Sequence, residues 1–186
     1  KIFFLLILDS IFLFFIFSQK TVSLETESIN ETNLEKKDCQ LETQEKIVKG
    51  SSLSPILESE KTIKIIFGYY QCNEFKKEDI VVLSFAGKEN PLIKIIKGLP
   101  GDNFHLEKID GGWNLLINGE RAKNSEGRPY FFGEEKKQIL TLYERDYRGK
   151  IPQNALLVLG NNPAGSMDSS YFGLISPDNI LGKVDF

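Results

Sequence analysis

The sequence predicts a mainly β domain of antiparallel sheets, attached to one N-terminal transmembrane helix. Three observations carry that expectation. Short apolar runs of strand length recur from residue 62 onward, two of the gaps between them are Asp-Gly or Asn-Gly, and one long apolar stretch fills the first 18 positions. No long run with a 3.6-residue period competes with the strands.

Lys1 to Ser18 reads KIFFLLILDSIFLFFIFS. At 1.5 Å per residue this is near the lower length that crosses about 30 Å of hydrocarbon as a helix. A cleaved leader has an apolar core of about 7 to 15 residues and a small-residue A-x-A site. Phe17-Ser18-Gln19 supplies no such site, which favours an anchor. Asp9 lies near the middle of the run, where a carboxylate costs about 2.5 to 3.5 kcal/mol on insertion scales. It is either neutralised or tolerated by a shallow anchor, and no role is assigned to it. Lys1 on one side and a mainly acidic stretch on the other favour a cytoplasmic start. The missing initiator Met is expected of a chain that begins inside a longer product.

From residue 19 to 46 the chain is rich in Glu, Thr, Ser, Asn and Lys and has few large apolar residues, a composition suited to a flexible tether. Residues 47–186 form the expected globular domain. Its strands are read at Thr62 to Phe67, Ile80 to Phe85, Leu92 to Ile96, Phe104 to Ile109, Trp113 to Ile117 and Ala155 to Leu159. Asp110-Gly111 and Asn118-Gly119 favour the tight turns of a meander running from Phe104 to about Lys123. The stretch 124–150, with many Lys, Glu, Arg and Tyr, reads as a polar excursion from the domain. Ile63 to Phe67 with Tyr69 and Tyr70 suits a buried strand and a membrane-dipping surface equally well.

Composition excludes some classes of function. Among 186 residues the formal net charge is -3 and no Lys/Arg cluster is interleaved with aromatics, so nucleic acid is not an expected partner. One histidine, His105, and two distant cysteines, Cys39 and Cys72, are too few for a metal site of Cys and His, and no cofactor is implied. The cysteines read first as two isolated thiols, with a single disulfide formed outside the cytoplasm as the alternative.

Three segments carry more Gly, Pro, Ser and charge than strands require: Val48-Lys49-Gly50-Ser51-Ser52-Leu53-Ser54-Pro55-Ile56-Leu57, then Lys94 through Asp102, and Gly160-Asn161-Asn162 followed by Ser166 through Gly173. Each alone reads as a turn. Strand alternation puts Lys94 on one face with Leu92 and Ile96, and Ile93 and Ile95 on the other, so its amine is set among branched apolar residues. Desolvation there lowers a lysine pKa and makes the neutral amine available as a base for a serine hydroxyl. A lysine snorkelling to solvent from a sheet edge remains the alternative on the strand pattern alone.

In this order and spacing the segments resemble the characteristic boxes of type I signal peptidase, a membrane-bound serine protease family. The likeness runs from Val48 to Val184. It takes in Glu78 to Val82, the hairpin Leu115 to Gly119, the run from Ile151 to Gly160 and the closing Asn179 to Lys183. It implies the antiparallel signal-peptidase catalytic fold over residues 47–186 and no cofactor. The family nucleophile lies three positions before the proline of the first box, which is Ser52 and not Ser51 or Ser54. The family base lies four positions before the first glycine of GLPGD, which is Lys94 and not Lys97. A third-box serine near the lysine amine matches Ser166, and the resemblance gives it the task of orienting Lys94 by a hydrogen bond. The Ser52 backbone N–H is the implied oxyanion donor; some members add a hydroxyl two residues before the nucleophile, where this chain has Gly50.

The departures are as informative. Leu53 replaces a usual methionine and Ile56 a usual threonine. Gly160-Asn161-Asn162 stands where many members have Gly-Asp-Asn, and Ser170 stands where an arginine usually pairs with the acid matching Asp168. The resemblance therefore implies a serine endopeptidase that removes signal peptides from preproteins at the lipid bilayer. Such an enzyme is single-pass in the cell membrane, with the catalytic domain on the extracytoplasmic side. A self-cleaving repressor-type protease shares the chemistry but lacks the anchor and GLPGD. A conjugation-type peptidase differs in substrate alone, and an inactive peptide-binding β-domain is the non-enzymatic rival.

Overall fold

The computed structural model describes residues 39–86, 90–162 and 165–185. The expected anchor at 1–18 and the first part of the expected tether lie outside the described residues. Among the described residues no helix is long and apolar enough to cross a membrane.

Two antiparallel sheets make the domain. The larger has six strands, β1 (Glu42–Ile47), β2 (Thr62–Phe67), β3 (Ile80–Leu83), β4 (Leu92–Gly98), β9 (Leu157–Leu159) and β10 (Ile180–Asp185), in the order β1-β2-β10-β3-β4-β9. The smaller is the expected meander, β5 (Phe104–Ile109), β6 (Gly112–Ile117) and β7 (Glu120–Arg121), with β8 (Phe131–Phe132) also paired to β6. Asn118 and Gly119 both take positive φ, 52° and 84°, as a two-residue turn between β6 and β7 demands.

Alternation along the central strands separates two apolar layers. Ile80, Val82 and Ile95 pack with Ile63, Ile65 and Val184 beneath Val48, Leu53 and Leu57. Val81, Leu83 and Ile96 face the other way, onto Leu156, Val158 and Ile175. β3 is thus buried on both faces, which is why its sequence is an unbroken apolar run rather than an alternating one. Ile63 and Ile65 are core residues, so β2 buries one face of the run, while Lys64 is exposed and Ile66, Phe67, Tyr69 and Tyr70 are half-buried.

Three expectations need correction. The tether does not reach residue 46, because β1 begins at Glu42 and pairs with β2 over six residues, Glu42 opposite Phe67 through Ile47 opposite Thr62. Its sequence, ETQEKI, is polar because this edge strand is almost wholly exposed, so no apolar alternation marks it. The cysteines are not separate thiols. The β1–β2 register carries Cys39 toward residue 70, and Cys39 and Cys72 form a disulfide with a Cα separation of 6.0 Å. Finally, the polar excursion contains α1 (Glu134–Asp146), a 13-residue helix that buries only Leu140 and so has almost no apolar stripe to read. Glu134 and Glu135 in its first turn and Arg145 in its last complement the helix dipole.

Candidate active site

The nucleophile segment is the connection between β1 and β2. Its apolar residues Val48, Leu53 and Leu57 sink into the core, while Ser52 stays partly exposed between them. Leu53 thereby anchors the turn directly behind Ser52. The turn closes on its own backbone, Ser54 N–H to the Ser51 carbonyl at 3.1 Å and Leu57 N–H to the Leu53 carbonyl at 3.1 Å.

Lys94 comes from the middle of β4, opposite Val81 of β3. Only 3% of the residue is exposed. Its Nζ lies 3.1 Å from Ser52 Oγ and donates to the Ile93 carbonyl at 2.8 Å. Burial lowers its pKa from 10.5 to about 8, and the negative charge of Asp168 acts the other way. An amine that spends one N–H on Ile93 and is neutral has its lone pair free for the Ser52 proton. Lys97 is also buried, but its Nζ is held by the Glu78 carboxylate at 2.7 Å and by the Lys123 carbonyl at 2.8 Å. Among the described residues no carboxylate forms an ion pair with Lys94. Two buried lysines three residues apart therefore have opposite chemistry, one fixed by an anion and the other beside a hydroxyl.

The third segment closes over this pair. β9 pairs with β4, Leu159 opposite Ile95, and the chain then continues into Gly160, Asn161 and Asn162. Asn162 N–H donates to the Ser52 carbonyl at 3.0 Å. A Cβ on Gly160 would overlap the Ser166 side chain and the Ser52 carbonyl oxygen, so the absence of a side chain there is what lets these groups meet. Ser166 Oγ is buried and has no hydrogen-bond partner among the described residues. The expected bond from Ser166 to Lys94 is not formed; the amine contacts Ser52 Oγ and the Ile93 carbonyl.

Asp168 is 1% exposed and is the N-cap of α2 (Ser169–Phe172). Its carboxylate accepts from Ser170 N–H at 3.0 Å, from Ser170 Oγ at 2.7 Å and from Gly160 N–H at 2.9 Å. Three neutral donors do what an arginine partner would do for hydrogen bonding, but they leave the charge in place. Ser170, singled out as a departure, is itself one of the carboxylate's partners.

Sequence reasoning missed four contributors. The Ile93 carbonyl is backbone and leaves no mark on a sequence. Tyr130 donates to the Gly160 carbonyl at 2.9 Å, and Asn124 and Ser125 bond to Asn161. All three side chains sit in the stretch read as an excursion, where the turn composition of Asn-Ser-Glu-Gly-Arg-Pro was the one available signal. Among the described residues no group of His, Cys, Asp and Glu is placed to hold a metal.

The arrangement can abstract a hydroxyl proton with a neutral amine and hold an ester on Ser52. The profile of the family described as "Signal peptidase, peptidase S26" matches residues 1–186. The chain belongs to the signal peptidase family. It is similar to the signal peptidase I of Bacillus caldolyticus, 31% identical over 148 residues that cover 75% of this chain and 76% of that protein. It is also similar to the signal peptidase IB of Staphylococcus aureus strain COL, 30% identical over 149 residues that cover 75% and 74%. A crystal structure of a signal peptidase I from Enterococcus faecalis aligns at 21% identity with a TM-score of 0.39, covering 61% of this chain and 98% of that one. Membership of this peptidase family makes the chain a serine endopeptidase.

Proposed function

We propose that this signal peptidase removes signal peptides from preproteins with Ser52 as nucleophile and Lys94 as general base. The observation that carries the assignment is the 3.1 Å approach of a buried lysine amine, without an ion pair among the described residues, to a partly exposed serine hydroxyl. Neutral Lys94 takes the Ser52 proton as Oγ attacks the scissile carbonyl. The ammonium then gives that proton to the departing amine, which leaves an ester on Ser52. Lys94, neutral again, activates the water that hydrolyses the ester. The Ser52 backbone N–H is assigned to the oxyanion, where one well-placed donor contributes about 3 kcal/mol.

Ser166 and Asp168 support this pair. The unpartnered Ser166 hydroxyl, packed on Gly160 beside the Ser52 backbone, is assigned to orient Lys94 during the reaction. Asp168 holds Gly160 and α2 together and moderates the depression of the Lys94 pKa. The apolar run at 1–18 is assigned as a single transmembrane anchor and the polar stretch after it as the tether, with the domain on the extracytoplasmic side of the cell membrane. A disulfide between Cys39 and Cys72 suits that compartment. Anchoring confines the peptidase to the surface where cleavage sites emerge and raises their effective concentration.

The test is cleavage of a purified preprotein by the full chain in detergent, with the new N-terminus sequenced. Ser52→Ala and Lys94→Ala should each abolish the cut seen with wild type, while Lys97→Ala retains it. Cleavage by Ser52→Ala or Lys94→Ala at the wild-type rate would show that the dyad is misassigned.

A further inference from the structure

Asn161 touches the nucleophile loop and is almost wholly buried, with 1% of its surface exposed. Its Nδ2 donates to the Ser54 carbonyl at 2.9 Å and to Ser125 Oγ at 2.8 Å, and its Oδ1 accepts from Ser125 N–H at 2.8 Å. These partners fix which way the amide faces. The Ser125 N–H can only donate, so it must meet the oxygen; the Ser54 carbonyl can only accept, so it must meet the nitrogen.

The consequence reaches the dyad through a short path. Lys94 sits on β4, and the next residue, Ile95, pairs with Leu159 of β9. Two residues beyond Leu159, Asn161 grips the Ser54 carbonyl, and Asn162 grips the Ser52 carbonyl at 3.0 Å. Adjacent residues of the third segment therefore hold alternate carbonyls of the nucleophile loop. They tie that loop to the strand that pairs with the one carrying Lys94.

Behind Asn161 stands the turn 124–128. Asn124 Nδ2 donates to the Asn161 carbonyl at 3.3 Å, and Asn124 Oδ1 accepts from Glu126 N–H at 3.1 Å and Arg128 N–H at 3.0 Å. The side chain that curls the turn is thus next to the one that holds Asn161.

We propose that Asn161 is a positioning residue that sets the Ser52–Lys94 distance, that it must be an amide to do so, and that the turn at Asn124 and Ser125 is its buttress. The inference rests on the Ser52/Lys94 reading. A carboxylate at 161 keeps the volume and the acceptor for Ser125 N–H, but it sets an oxygen against the Ser54 carbonyl. Among the described residues no cationic side chain hydrogen-bonds to Asn161, so such a charge would be buried without a partner.

The test compares Asn161→Asp, Asn161→Ala and Ser125→Ala in the full chain with a preprotein substrate. Asn161→Asp should lower kcat about 10- to 100-fold with KM within about twofold of wild type, since a misplacement of about 1 Å costs up to about 10²-fold. Asn161→Ala should be milder than Asn161→Asp, because a small polar cavity admits water to the freed groups. Ser125→Ala should lower kcat about two- to fivefold. Hydrogen exchange should quicken in peptides covering residues 50–57 in all three variants.

A purely space-filling role reverses the order, with Asn161→Asp more active than Asn161→Ala, and that result overturns the proposal. So does unchanged kcat and unchanged exchange in Asn161→Asp and Ser125→Ala. If Ser52→Ala cleaves like wild type, the dyad reading falls instead, and the exchange measurement still decides whether Asn161 restrains the loop.

Discussion

Cleavage by the wild-type chain should rise with pH along a limb centred near 8, and Asp168→Asn should move that limb to lower pH. Burial lowers the Lys94 amine from 10.5 to about 8, against the opposing pull of the Asp168 charge. With a midpoint of 8, about one amine in ten is neutral at pH 7; an ordinary lysine near 10.4 is neutral in about one molecule in 2,500. The fold thus raises the population of competent base about 200-fold at neutral pH. Below the midpoint kcat should climb about tenfold per pH unit, then level off. Removing the Asp168 charge leaves desolvation unopposed, so the midpoint falls below 8 and a larger share of the enzyme is active at pH 7. Asparagine keeps a carbonyl acceptor for the α2 N-cap but gives up the one for Gly160 N–H, and a thermal midpoint checks that the segment survives. The assay is initial rate at saturating preprotein from about pH 5.5 to 9.5 for both proteins. A wild-type rate that is flat between pH 6 and 8, or an Asp168→Asn limb that stays put or moves up, refutes the account.

Lys94→Met should abolish cleavage yet stabilise the domain at pH 7. The folded pKa lies below the unfolded one, so the burial penalty is complete below about pH 8 and disappears as pH rises through about 10.5; lowering the amine from 10.5 to about 8 corresponds to roughly 3 kcal/mol. After allowing for the lost bonds to Ser52 and Ile93, urea unfolding should show about 1 to 3 kcal/mol of gain at pH 7 and little above pH 10.5, and a loss at pH 7 counts against a costly burial of the Lys94 ammonium. The Cys39–Cys72 disulfide closes a loop with a sequence separation of 33, for which chain entropy gives about 3 to 4 kcal/mol. The double variant Cys39→Ser/Cys72→Ser should lose stability of that order in a denaturant titration, and an unchanged midpoint would show that β1 is held by strand pairing alone.

Much of this was legible in the sequence because apolar alternation reports burial directly. β2, β4, β5 and β6 each have one or both faces in a core, and each was readable within a residue or two. β1 and α1 escaped for the complementary reason. An exposed edge strand and a helix with one buried leucine satisfy their backbones by pairing and coiling without leaving an apolar signature. At the site, the burial of Lys94 followed from its apolar neighbours, but the choice between Lys94 and Lys97 did not. Both sit in the same strand at 3% and 5% exposure, and what separates them is Glu78, which bonds Lys97 from the turn before β3. Such a contact depends on where a loop folds back, which periodicity cannot express.

The third segment shows how a departure from a family pattern can be absorbed without restoring the missing charge. An arginine against Asp168 would hydrogen-bond the carboxylate and cancel its field together. Ser170 and the Gly160 N–H accomplish the first and leave the second undone. The uncancelled charge then raises the Lys94 pKa against the burial that lowers it. The same segment has exchanged an acid for Asn161, whose amide finds a carbonyl and a backbone N–H where a carboxylate would find a carbonyl it repels. Among the described residues Asp168 therefore remains the one buried carboxylate acting on Lys94. The basicity of the amine is set by a balance of two opposed effects, desolvation and a single charge, rather than by a network of ion pairs.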